Sequence, residues 1–195
     1  MRRATVNRKT KETDISLTVS LDGGSREIAT GCGFLDHMLE VFAFHGNFGL
    51  TVKCKGDVQV DDHHTVEDVG IALGAALSDA LGDRRGIARY GNFLLPMDEA
   101  LILCALDLSG RMALNFDVQI PAAKVGGFDT ELAQEFMLGF ARSLSATLHF
   151  KQLAGANSHH IIEAAFKGLG RALAQAAAID PARADETPSS KGTLV

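Results

Sequence analysis

The sequence predicts an α+β fold of two duplicated β-β-β-α-β-α halves, each a sheet with its helices packed on one face. Three observations predict it. The pattern H-H-x-x-E occurs twice, as His63, His64 and Glu67 and as His159, His160 and Glu163. Laying His63 on His159 also pairs Leu73 with Leu169, Gly74 with Gly170, Ala76 with Ala172 and Leu77 with Leu173, the mark of an internal repeat. Hydrophobic periods of about 2 and about 3.6 residues alternate in the same order on either side of a border near Gly86–Gly91.

In the first half, strands are predicted at 2–9, 14–21 and 26–30. The second alternates strictly through Ile15, Leu17, Val19 and Leu21 and ends in the turn D-G-G-S. A short helix follows at 34–47, a strand at 48–56 and a longer helix at 62–81. Val66, Val69, Leu73, Leu77 and Leu81 form one stripe along that longer helix. The second half repeats the order, with strands at 87–95, 99–108 and 111–118, a helix at 130–145, a strand at 146–153 and a helix at 158–178. The expected division is 1–90 and 91–180, together one globular unit, followed by a tail at 181–195. From Asp180 the chain is polar and without helix or strand period, so composition alone predicts a disordered end.

With 195 residues, 46% of them hydrophobic, the chain can bury a sizeable core. A formal net charge of -5 argues against a nucleic-acid partner, which would call for a basic face. No apolar run approaches the ~18 residues of a membrane span, and the charged start M-R-R-A-T-V-N-R-K lacks a secretory stretch. Cys32, Cys54 and Cys104 are odd in number and widely spaced, which suggests reduced, inert thiols. A soluble, cytoplasmic protein is expected.

The repeated motif points to metal chemistry. On a helix, residues i and i+4 share a face, so His63 with Glu67, and His159 with Glu163, can each grip one ion. His64 and His160 point about 100° away around the axis and should serve a second ion. Mixed imidazole and carboxylate ligands suit manganese, iron or zinc. Asp61, Asp62 and Asp68 read as capping and first-turn acids. His37 and His45, eight residues apart on the short helix, can face one way, and Glu135 stands near the place of His37 in the other half. His37 and Glu135 are therefore candidates to complete the second metal's shell. His149 has no such partner and reads as structural.

The blocks T-G-C-G-F-L-D-H-M, D-D-H-H-T-V-E-D-V-G-I-A-L-G, G-I-A-R-Y-G, P-M-D-E-A-L, L-D-L-S-G-R, N-S-H-H-I-I-E-A-A-F-K and P-S-S-K-G together resemble the imidazoleglycerol-phosphate dehydratase family of histidine biosynthesis. The resemblance spans nearly the whole chain. It implies a lyase that removes water from imidazoleglycerol phosphate to give imidazole acetol phosphate, with two manganese ions per site. It also implies a homo-oligomeric cage of twenty-four subunits with sites at subunit interfaces. Carried over by position, His63, Glu67, His159 and Glu163 would hold one ion, and His37, His64 and His160 the other. Many family members have a histidine as the remaining ligand. The matching residue here is Glu135, whose carboxylate can also ligate manganese.

The chemistry explains the metal pair. The hydrogen to be lost is weakly acidic, and hydroxide is a poor leaving group. Cations on both ring nitrogens of the substrate would favour an imidazolate, which can push out the adjacent hydroxyl. By the resemblance, Glu12 is the proton shuttle, and His45 stands near the departing hydroxyl. Glu67 and Glu163, at the reacting centre, join these two as catalytic groups. His37, His63, Glu67 and His159 then also face the substrate. Arg89, Arg111, Lys167, Ser189, Ser190 and Lys191 match phosphate- and substrate-contacting positions, which draws the polar tail into the site. The residues leave two other readings: a dinuclear metallohydrolase, and a non-catalytic assembly protein stapled by metal.

Overall fold

The computed structural model describes residues 1–194. The first half runs β1 (Arg3–Lys9), β2 (Thr13–Ser20), β3 (Arg26–Ala29), α1 (Gly33–Gly46), β4 (Gly49–Gly56) and α2 (His63–Leu81). The second runs β5 (Tyr90–Met97), β6 (Ala100–Asp107), β7 (Ala113–Asp117), β8 (Lys124–Val125), β9 (Phe128–Asp129), α3 (Leu132–Leu144), β10 (Thr147–Ala154) and α4 (Ser158–Ala177).

The two four-stranded sheets have matching orders, β1-β2-β4-β3 and β5-β6-β10-β7. Each is antiparallel except at one pair, β3 with β4 and β7 with β10. Parallel neighbours need a crossover, and α1 and α3 supply it. The duplication read from the motif is thus present in the strand pairing as well.

Alternation decides which face of each sheet is buried. In β2, Thr13, Ile15, Leu17 and Val19 point inward, as Ala100, Ile102, Cys104 and Leu106 do in β6. Helix α2 lies on β1, β2 and β4 and packs on its far side against α3; α4 lies on β5 and β6 and packs against α1. The helices therefore sit between the two sheets, and both halves share one continuous core. Burial pushes the Cys32 and Cys54 thiols up to about 11 and raises that of Cys104 further. All three are free, in keeping with inert thiols. Among the described residues, no helix is long and apolar enough to cross a membrane.

Two glycines allow the halves to meet. A Cβ on Gly74 of α2 would lie 2.5 Å from the Phe140 carbonyl oxygen of α3. A Cβ on Gly170 of α4 would lie 2.4 Å from the Phe42 carbonyl oxygen of α1. These are repeat-equivalent contacts, backbone against helix, and no side chain fits between.

Two expectations need correction. The hairpin β8–β9 was not predicted, because two-residue strands show no period; Gly126 takes its turn at φ 62°. The end after Asp180 does not follow the composition reading either. Asp180 N donates to Gly86 O at 2.7 Å, Gly86 N to Glu186 O at 3.0 Å, and Arg89 Nη1 to Pro188 O at 2.9 Å. The partners of this polar segment are the Gly86 main chain and the Arg89 side chain just before β5, which no local pattern in the tail reveals.

Gly74→Ala or Gly170→Ala should overpack the helix contact and cost about 1–3 kcal/mol. A thermal melt checks this, and an unchanged melting temperature would mean the helices are not held this close.

Candidate active site

The site begins at the start of α4. Asn157 caps the helix, its side chain accepting from His159 N at 2.9 Å and His160 N at 3.2 Å. That cap orients the first turn and satisfies two of the donors a helix start leaves unpaired. One turn on, His159 Nε2 donates to Glu163 Oε2 at 2.9 Å. Helix α1, held against α4 by the Gly170 contact, brings His37 Nε2 to 3.3 Å from the same oxygen. Ligand atoms of His37, His159 and Glu163 lie within 4.8 Å of one another. The other carboxylate oxygen takes Lys167 Nζ at 2.6 Å. Burial works to raise the Glu163 carboxyl, but the Lys167, His159 and His37 hydrogen bonds win and hold it low. Phe34 walls this cluster edge-on to His159 and packs at a tilt against Phe128 of the β8–β9 hairpin.

At the start of α2, His63 Nε2 lies 3.9 Å from Glu67 Oε2, the same i,i+4 relation more loosely held. Glu135 sits on α3 opposite α2, as His37 sits on α1 opposite α4. The second histidine of each motif is fixed by a carboxylate. His64 Nδ1 donates to Asp57 at 3.0 Å, and His160 Nδ1 to Glu99 at 2.8 Å. These bonds, more than the neighbouring charges, raise both imidazoles. They also fix the tautomer, leaving Nε2 to carry the lone pair.

The remaining predicted residues fall in three places. Glu12 is exposed at the β1–β2 turn, near enough to add its charge to those raising His64. His45 faces α4 beyond His37. Burial first, then the charges of Lys167 and Arg171, hold it below its ordinary value. Arg89 pairs with Asp107 at 2.7 Å and shares a cavity with Ser189 and Ser190. Arg111 and Lys191 are exposed and lie outside that cavity lining. His149 is exposed on β10, opposite Ala105 and Asn115.

Within one chain the candidate ligands group by helix pair. His159 and Glu163 are joined by His37, rather than by His63 and Glu67, and His37 does not stand with His64 and His160. The reason is packing: α1 touches α4 and α2 touches α3. The acids near α2 also differ from their first reading. Asp61 does cap, accepting from His63 N at 2.8 Å. Asp62 makes no side-chain cap bond. Asp68 instead binds Arg8 at 2.8 Å and Thr13 at 2.5 Å. Asp57, Glu99 and Asn157 were missed altogether. The asparagine just before a helix was a legible cap signal, whereas the two carboxylates come from strand ends and loops.

Asn157→Ala should cost about 1 kcal/mol through the lost cap, lowering the melting temperature by roughly 2–4 °C. His45 adds a pH effect. Its proton is bound more readily in the unfolded chain, so the fold loses stability as the pH falls through the ordinary histidine value of 6.5. His45→Gln should flatten that part of the stability curve, and an unaltered curve would show that His45 is not depressed.

Residues 30–173 match the family model described as imidazoleglycerol-phosphate dehydratase. A relative of that name from Jannaschia sp. (strain CCS1) is 57% identical over 195 residues, covering 100% of both chains. One from Desulforamulus reducens is 58% identical over 194 residues, covering 99% of this chain and 98% of that one. The crystal structure of imidazoleglycerol-phosphate dehydratase from Staphylococcus aureus subsp. aureus N315 superposes with a TM-score of 0.84 at 38% identity, covering 91% of this chain and 99% of that one. The structure of IGPD from Pyrococcus furiosus in complex with (S)-C348 gives 0.85 at 44% identity, covering 96% and 99%. With a shared fold and relatives matched end to end, the chain belongs to the imidazoleglycerol-phosphate dehydratase family.

Proposed function

We propose that this protein removes water from imidazoleglycerol phosphate to give imidazole acetol phosphate, a step of histidine biosynthesis, with two manganese ions per site. The observation that carries the reading is the convergence of His37, His159 and Glu163 within 4.8 Å. Two imidazoles and a carboxylate on rigid, neighbouring helices fit a borderline divalent cation. In this reading, those three residues hold one ion. By the repeat relation, His63, Glu67 and Glu135 hold the other. His64 and His160 of other copies, their Nδ1 atoms fixed by Asp57 and Glu99, complete the two shells at interfaces of a cytoplasmic, twenty-four-subunit homo-oligomer.

When bound, the cations supply Lewis acidity that favours the anionic form of the substrate's imidazole. The chain's own groups do the rest. Glu12 takes the proton from carbon and returns one at its carboxylate. Neutral His45 can accept or donate at the departing hydroxyl. The C–O and neighbouring C–H bonds break, water leaves, and the resulting enol becomes the ketone. Lys167 links two tasks, since its ammonium reaches for the phosphate from the same helix face that holds Glu163. Arg89, Arg111, Ser189, Ser190 and Lys191 supply the other phosphate donors.

Incubating manganese-loaded protein with imidazoleglycerol phosphate should yield the enolisable ketone, detected at alkaline pH. Release of phosphate without ketone would favour a metallohydrolase, and no turnover a metal staple. Glu67→Gln and His159→Ala should lose metal and activity together. Glu12→Gln should keep metal and fold but lose about 10²-fold or more in kcat.

A further inference from the structure

The repeat pairs the β1–β2 hairpin with the β5–β6 hairpin, and so pairs Glu12 with Glu99. Each glutamate immediately precedes the second strand of its hairpin, before Thr13 and Ala100. Lys9 faces Asp14 in one ladder as Pro96 faces Leu101 in the other. The two glutamates have separate uses. Glu99 is fully engaged: one oxygen accepts from Asn157 N at 2.8 Å and Ala156 N at 3.2 Å, and the other from His160 Nδ1 at 2.8 Å. The tip glutamate itself anchors the second hairpin to the start of α4.

In the first half that anchor comes from elsewhere. His64 Nδ1 bonds to Asp57, so the glutamate at the hairpin tip is not used to hold it. Asp68 of α2 reaches out instead. Its Oδ1 accepts from Arg8 Nε at 3.0 Å and Nη2 at 2.8 Å, and its Oδ2 accepts from Thr13 Oγ1 at 2.5 Å. Asp68 is only 8% exposed, whereas Glu12 is exposed. Arg8 and Thr13 flank the turn that carries Glu12, and Thr10 Oγ1 closes it by accepting from Glu12 N at 3.1 Å and Thr13 N at 2.9 Å. The position equivalent to Asp68 in the second half is Ala164, where Glu99 makes such an anchor redundant.

We propose that Asp68, with Arg8 and Thr13, is a positioning group that holds the β1–β2 turn against α2 and so leaves Glu12 free to move protons. This inference rests on the reading of Glu12 as the proton shuttle. Glu99 has both oxygens engaged in anchoring; in the first half the helix residue Asp68 carries the anchor and the hairpin-tip glutamate does not.

The test compares full-length, manganese-loaded Thr13→Val, Thr13→Ser, Asp68→Asn and Glu12→Gln, with doubles in the Glu12→Gln background. Thr13→Val and Asp68→Asn should lower kcat by about ten- to a hundredfold, the scale of a misplaced catalytic group. KM and manganese per chain should hold, and Thr13→Ser, which keeps the hydroxyl, should restore turnover. In the Glu12→Gln background neither change should reduce the residual rate further, because the group they position is gone. If Asp68→Asn melts early, the matched Val and Ser variants decide. Normal kcat in Thr13→Val beside an inactive Glu12→Gln would overturn the positioning role and leave the shuttle standing. Losses that multiply in the doubles, or that track manganese content, would overturn it too. A fully active Glu12→Gln would remove the shuttle and this proposal together.

Discussion

The contact between helices of opposite halves governs this structure. Gly74 against Phe140 and Gly170 against Phe42 leave no room for a side chain. Dispersion and burial across such a close approach are collectively large, and a rigid core tolerates little adjustment. Because α1 is pressed onto α4, His37 reaches a carboxylate far away in sequence. The same packing buries the helices between two sheets and leaves the first turns of α2 and α4, with His63, His64, His159 and His160, partly exposed.

Electrostatics then sharpen what packing assembles. Glu163 has one oxygen facing two imidazoles and the other facing Lys167. A largely buried carboxylate would ordinarily favour its neutral form, yet three donors keep it charged and ready to act as an acceptor or ligand. His64 and His160 are tuned from outside their helices by Asp57 and Glu99, which orient the rings through Nδ1. His37, Glu163, His64 and His160 are thus each met by a partner from another element, whereas His159 and His63 stand with a glutamate of their own helix.

Duplication supplied two copies of each part, and the copies diverged. His37 stands where the other half has Glu135. Asp68 stands where the other half has Ala164, and the paired hairpin glutamates have taken up different contacts. A symmetric fold thus carries an asymmetric set of charges, which suits chemistry on a substrate whose two ends differ.

The sequence by itself determined the element order apart from the β8–β9 hairpin, the repeat and the identity of the chemical side chains. Each of these is encoded locally: β2 alternates, α2 carries its stripe, and H-H-x-x-E puts i and i+4 on one face. Only the tertiary structure decided which ligands meet. Nothing along the chain says that α1 crosses to α4 instead of staying with α2, so the meeting of His37 with His159 and Glu163 within one chain is not legible from spacing. The roles of Asp57, Glu99 and Asp68 were hidden for the same reason, as was the docking of the polar tail onto Gly86 and Arg89. Periodicity reports the face a residue points to within its own element; the neighbour across that face is set by how whole elements pack.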